Sequence, residues 1–141
     1  MRKMVITKES VDEHLETPFE WGGNDKNVSF DCYGLIESLY KDNEISIPTL
    51  KTRPKSHQEF LQKFRAGITS QYWVTTKEKI GAIVVFQKGQ NESDIHFGVI
   101  TKIGFVTHAC PDHGKVVTQR LGEVGRIVGF YEYRGKPDAV I

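Results

Sequence analysis

Three side chains are spaced for cooperation in covalent chemistry: Cys32, His96 and His108. Cys32 follows Asp31, a residue suited to capping a helix from Cys32 to about Asp42, so the thiol is expected in that helix's first turn. Unpaired N–H groups there carry about half a positive charge and favour thiolate, pulling the pKa below its free value of about 8.5. Asp31 opposes this unless its carboxylate is taken up as the cap. A cysteine nucleophile also needs a base and a group that orients the base. His96 and His108 are separated by 12 residues (108 − 96), an even number, with Gly104 in the one obvious turn between them. Pairing across a hairpin then puts His108 opposite His96 or one pair away, on the same face. One imidazole accepts the Cys32 proton while the other fixes its tautomer. The bland alternative is one hydrogen-bonded core histidine and one surface histidine.

Other candidates carry less. His108, Cys110 and His113 form a His-x-Cys-x-x-His run of zinc-binding types. Pro111 and Gly114 make that segment a turn, a packing role suffices for Cys110, and no metal or other cofactor is expected. The two cysteines lack the CxxC spacing of a zinc ribbon and are too few for a disulfide scaffold. His14 and His57 have no sequence partners and read as solvated. Trp73, Tyr131 and Tyr133 sit at strand spacing and read as packing residues.

The elements that must position these groups change character along the chain. Ser10 and Glu13 have capping-box spacing before a short helix to about Glu16, closed by Pro18. Leu35, Ile36, Leu39 and Tyr40 recur on one face of the Cys32–Asp42 helix. Ser56 is suited to cap another, with Phe60, Leu61 and Phe64 inward and Gly67 as its stop. From about residue 70 the pattern turns to β-rich runs at 72–75, 82–86, 95–100, 105–109, 116–118 and 127–131. Helices followed by an antiparallel sheet of five or six strands define an α+β fold.

At 141 residues the chain fits one domain, 1–141, with one core. Lys and Arg number 19 against 18 Asp and Glu, leaving no positive surplus for nucleic acid or an anionic membrane surface. The N-terminus lacks the apolar stretch of a secretory signal and no window of 18 apolar residues exists, so neither export by that route nor membrane insertion is expected.

Six segments in order resemble the NlpC/P60 family of papain-like cysteine peptidases. Pro18-Phe19-Glu20-Trp21-Gly22-Gly23 resembles its Y-x-W-G-G segment, Phe30-Asp31-Cys32-Tyr33-Gly34-Leu35-Ile36 its F-D-C-S-G-L-V, and Ile45-Ser46-Ile47-Pro48 its G-I-x-L-P. Ile80-Gly81-Ala82-Ile83-Val84-Val85-Phe86 is similar to G-D-L-V-x-F, His96-Phe97-Gly98-Val99-Ile100 to H-V-G-I-Y, and Phe105-Val106-Thr107-His108-Ala109 to F-I-H-A. The likeness covers about 18–133. It implies a papain-like fold with Cys32 as nucleophile at a helix N-terminus, His96 as base and His108 as the orienting group. It further implies cleavage of an amide bond in peptidoglycan stem peptides through an acyl-enzyme. The oxyanion would be met by the Cys32 N–H and a donor from the preceding loop, with Phe19, Trp21, Asp31 and Tyr33 around the site. Phe19 replaces a tyrosine and lacks its hydroxyl, and Ala82 replaces an aspartate. Tyr33 replaces a serine, similar to phage tail-assembly members of the family. A phage or prophage origin follows from that resemblance, with tail proteins as partners and the virion tail, or the cytoplasm before lysis, as location. The alternatives are a weakly active or non-catalytic tail module and a thiol amidase or acyltransferase on another acyl substrate. Specificity loops are expected at 22–29, 49–57 and 87–94.

Overall fold

A computed structural model describes residues 6–44, 58–59, 61–62, 65, 73–91 and 95–133. The first helix, α1 (Lys8–His14), starts one turn earlier than the capping box at Ser10 implies. Thr7 is the cap, its hydroxyl accepting from the Ser10 N–H at 3.2 Å. Glu16 then turns the chain with a left-handed φ of 71°. A two-residue hairpin not foreseen from sequence follows, β1 (Asn24–Asp25) with β2 (Ser29–Phe30). It feeds directly into α2 (Cys32–Asp42), capped by Asp31 as the sequence indicates.

The remaining elements are β3 (Trp73–Thr76), β4 (Ile83–Gln87), β5 (Ile95–Lys102), β6 (Phe105–Cys110), β7 (Lys115–Arg120), the single turn α3 (Leu121–Val124) and β8 (Arg126–Tyr133). Six strands form one sheet in the order β3-β8-β4-β5-β6-β7, with antiparallel neighbours throughout. The fold is therefore α+β, as expected, and each expected β run corresponds to one of these strands with ends shifted by a few residues. Ile103 and Gly104 make the β5–β6 turn, where Gly104 takes φ 88°, a conformation that glycine adopts without strain. The helix capped by Ser56 falls largely outside the described residues, although Leu61 is buried at 5% exposure.

Alternation along the strands divides the apolar side chains between two cores. On one face Ile83, Val85, Phe97, Val99, Ala109 and Val116 meet Leu35, Ile36, Leu39 and Tyr40 of α2. On the other, Val84, Phe86, Ile100 and Val106 pack with Val124 of α3. Burial of each large aliphatic side chain contributes about 2 kcal/mol. The Tyr40 hydroxyl donates to the Gly81 carbonyl, fixing the far end of α2 to the turn before β4. His14, read from sequence as solvated, is fully buried. Its Nδ1 donates to the Ser10 carbonyl at 2.6 Å, Nε2 lies 2.7 Å from the Ser38 hydroxyl, and the ring stacks on Phe30. The ring thereby joins α1 to α2, a role invisible without the tertiary partner. No helix among the described residues is long and apolar enough to cross a membrane.

Gly34, one turn into α2, permits the closest approach: a methyl group there would overlap the Gly23 carbonyl oxygen and crowd Asn24. On helix propensity alone Gly34→Ala would stabilise by about 1 kcal/mol. The backbone contact reverses the sign, and chemical denaturation is expected to show Gly34→Ala destabilised by roughly 3 kcal/mol, at the upper range for overpacking.

Candidate active site

Both carboxylate oxygens of the fully buried Asp31 are committed. Oδ1 accepts from the Gly34 N–H at 2.7 Å as the α2 cap, and Oδ2 accepts from the Gly22 N–H at 2.9 Å. Asp31 N–H in turn donates to the Gly23 carbonyl at 3.1 Å. One residue thus sets the helix start and the loop before it, and Cys32 becomes the first residue of α2.

From that position the Cys32 side chain reaches the boundary between β5 and β6. The paired register of these strands runs from Lys102↔Phe105 to Val99↔Thr107. Further along, the thiol occupies the interval: Sγ lies 3.8 Å from the Ala109 carbonyl and accepts from the backbone N–H of Phe97. Phe97 follows His96 and Ala109 follows His108, and because strand side chains alternate, the two imidazoles turn to the Phe86 face of the sheet, opposite Cys32 and α2. Gly98 lies between the strands at a point where a Cβ would overlap the Val106 and His108 side chains, so the close approach of β6 here depends on a glycine.

The two imidazoles share a face and flank one phenyl ring. His96 is opposite Phe86 in register and stacks on it, with centroids 5.9 Å apart; His108 meets the same ring edge-on at 5.2 Å. Continuing the β5–β6 register puts His108 level with Gly98, two positions from His96 and therefore on its face, in agreement with the even spacing in the sequence. His108 is 1% exposed, and its Nε2 lies 2.7 Å from Oε1 of Gln119 on β7. Around this face the β4–β5 and β6–β7 connections add a Lys88–Asp112 ion pair at 2.8 Å and a contact of 3.0 Å between Cys110 Sγ and His113 Nδ1.

The electrostatics overturn one expectation. Burial pushes the Cys32 thiol up to about 12, and the Asp31 charge adds to this. The Phe97 N–H and the residue's own N–H lower it, without outweighing the loss of water. Occupation of Asp31 as a cap does not silence its charge, and the helix terminus does not by itself yield a thiolate. Burial likewise lowers His108 to about 4, with Lys88, His96 and His113 acting in the same direction and the Gln119 bond against it. At neutral pH the resting forms are a thiol and an uncharged His108 ring.

Of the surrounding residues named from sequence, Tyr33 is a core side chain at 3% exposure and Asp31 is the cap. Phe19 and Trp21 are half-buried and meet edge-to-face at 5.1 Å, with the Phe19 N–H donating to the Gly114 carbonyl at 2.8 Å. The 18–22 segment thus runs beside the β6–β7 turn. The loop 49–57 lies outside the described residues, as do 92–94. Among the described residues no three His, Cys, Asp or Glu side chains group to hold a metal. Gln119 escaped the sequence reading, although strand alternation from His108 across a hairpin turning at Pro111–Gly114 places it on the histidine face.

The chain belongs to the NlpC/P60 family, whose profile matches residues 16–126. No curated protein matches significantly. Among solved structures it is similar to an NlpC/P60 family protein from Bacillus cereus ATCC 10987, with TM-score 0.59 and 20% identity, covering 90% of this chain and 40% of that one. It is also similar to the NlpC/p60 domain of the peptidoglycan hydrolase SagA, with TM-score 0.55 and 19% identity over 89% of this chain and 94% of that one. A third is the peptidoglycan hydrolase RipB from Mycobacterium tuberculosis, with TM-score 0.53 and 18% identity over 89% of this chain and 61% of that one. The chain therefore spans less than half the length of the Bacillus cereus protein, and the likeness carries the fold.

Two measurements follow from the electrostatics. Between pH 6.5 and about 4 the unfolded chain takes up a proton at His108 that the folded chain does not, so stability falls on acidification through that window. The contribution is on the order of 3 kcal/mol, and denaturation across this range should lose that slope in His108→Gln. Carbamidomethylation of Cys32, followed by peptide mass, should accelerate about tenfold per pH unit from 7 to 10, because only the thiolate reacts and its fraction grows in proportion. A plateau near neutrality would reveal a preformed thiolate and contradict the raised pKa.

Proposed function

We propose that residues 1–141 form a single catalytic domain, a cysteine peptidase that hydrolyses an amide bond in peptidoglycan stem peptides. The observation that carries this reading is the Cys32 thiol, held in the first turn of α2 against the backbone of the two strands that bear His96 and His108; the imidazoles themselves lie on the Phe86 face of that sheet, so the reading requires them to turn toward sulfur. Family membership supports it, and the description of SagA and RipB as peptidoglycan hydrolases supports the substrate class.

In this reading His96 takes the thiol proton as sulfur attacks the scissile carbonyl carbon, and His108 holds the His96 ring. The carbonyl π electrons move to oxygen, giving a tetrahedral oxyanion. The Cys32 backbone N–H, already directed at its own sulfur, is the donor this reading assigns to that oxyanion. Collapse breaks the C–N bond, and the proton on His96 passes to the leaving amine. Water then attacks the thioester by the same route, giving the acid and restoring the thiol. The run Cys32-Tyr33-Gly34-Leu35, similar to phage tail-assembly members of the family, supports a phage or prophage origin with tail proteins as partners.

A second reading, a wall-binding or tail module with little catalysis, is favoured by Phe19, which lacks the family tyrosine's hydroxyl, and by the raised thiol pKa. A thiol amidase or acyltransferase on another acyl substrate shares the same groups. Incubation with purified muropeptides separates these. The peptidase reading expects new amine termini with wild type and a loss of at least about a thousandfold with Cys32→Ala, as for removal of a covalent nucleophile. Binding without product would support the module, and equal cleavage by Cys32→Ala would remove Cys32 from the chemistry.

A further inference from the structure

We infer that Gln119 is a positioning residue of this site: its side-chain carbonyl holds His108 in the Nε2–H tautomer, leaving Nδ1 as an acceptor for the ring proton of His96. The inference rests on the peptidase reading for its catalytic consequence, but the tautomer itself does not.

The contact is the 2.7 Å approach of His108 Nε2 to Gln119 Oε1. An amide oxygen only accepts, so Nε2 carries the hydrogen, and a neutral imidazole with its proton there has a bare Nδ1. His108 is neutral near pH 7, since burial depresses its pKa to about 4. Placement agrees. His108 pairs with Val117 and Val106 with Gln119 in the β6–β7 register, so Gln119 stands on the histidine face, two positions along from the residue opposite His108. Gln119, His108, His96 and Phe86 therefore occupy one face of four consecutive strands, β7, β6, β5 and β4.

The chemistry gives this arrangement a direction. A base that accepts the thiol proton needs a bare nitrogen toward sulfur and its own N–H held on the opposite side. A neutral histidine can hold that N–H only if its own proton points elsewhere. The Gln119 carbonyl draws it elsewhere, toward β7, and leaves Nδ1 of His108 bare for the His96 ring on the same face. With an aspartate in place of His108 no fourth group would be required, because a carboxylate has no proton to place.

The test compares wild type, Gln119→Met, which keeps length and removes the acceptor, and Gln119→Glu, which keeps the acceptor. Gln119 is only half-buried, and amide-spectrum dispersion verifies that each protein is folded. Nitrogen-15 shifts of the His108 ring at pH 7 are expected to show Nε2–H in wild type and Gln119→Glu, and a mixture or Nδ1–H in Gln119→Met. On muropeptides Gln119→Met should lose at least about tenfold in kcat with KM unchanged, and Gln119→Glu should restore most of it, the pattern of a tautomer defect. A wild-type ring protonated on Nδ1, or a Gln119→Met protein matching wild type in tautomer or in kcat, overturns the inference. If wild type cleaves no muropeptide, the peptidase reading fails while the ring shifts still decide whether Gln119 sets the tautomer.

Discussion

The buried carboxylate of Asp31 is the constraint on which the geometry of this protein depends. A charge with no solvent exposure is tolerated only when its oxygens are met, and the N–H groups of Gly22 and Gly34 meet them. One of those donors belongs to the loop and the other to the helix, so the two segments cannot be adjusted independently. The glycines at 23 and 34 follow from the same closeness, because the loop backbone lies directly against the first turn of α2. Cys32 has no freedom left after this. Its α-carbon is fixed by the cap, and its sulfur is delivered to the place where the paired ladder of β5 and β6 ends.

Those parts of the fold governed by short-range rules were legible in the sequence. Asp31 as cap, the apolar face of α2 and the six β runs all express local geometry, and all are present. The shared face of His96 and His108 followed from an even spacing and one glycine turn, since side chains on a strand alternate with period two. What escaped divides between local ambiguity, as at the α1 cap, and partners distant in sequence. Thr7 displaced Ser10 as the α1 cap because either hydroxyl suits the role by residue type alone. His14 looked solvated because Ser38 and Phe30, which enclose it, carry no sequence mark of doing so. The state of the Cys32 thiol was misjudged for the same reason. The helix terminus is readable from sequence, whereas the depth of burial that outweighs it is a property of the assembled sheet.

Burial is also what makes the site coherent as a neutral one. A thiolate and an imidazolium held apart in a dry interior would each lose hydration, and the structure opposes both, raising Cys32 and lowering His108. For the proposed chemistry this argues against a resting thiolate and for proton transfer concurrent with attack, when the negative charge passes through sulfur to the substrate oxygen and meets backbone N–H groups there. The groups that then matter are those that direct the rings: Phe86, which both imidazoles contact, and hydrogen-bond acceptors such as Gln119, which decide where a ring proton resides. A site that relied on a preformed ion pair could tolerate a loosely held third member, because charge attraction acts over several ångströms. The uncharged His108 ring lacks that attraction and must be aligned by contact, and it is met by Phe86 and Gln119 on a strand of the sheet rather than on a loop.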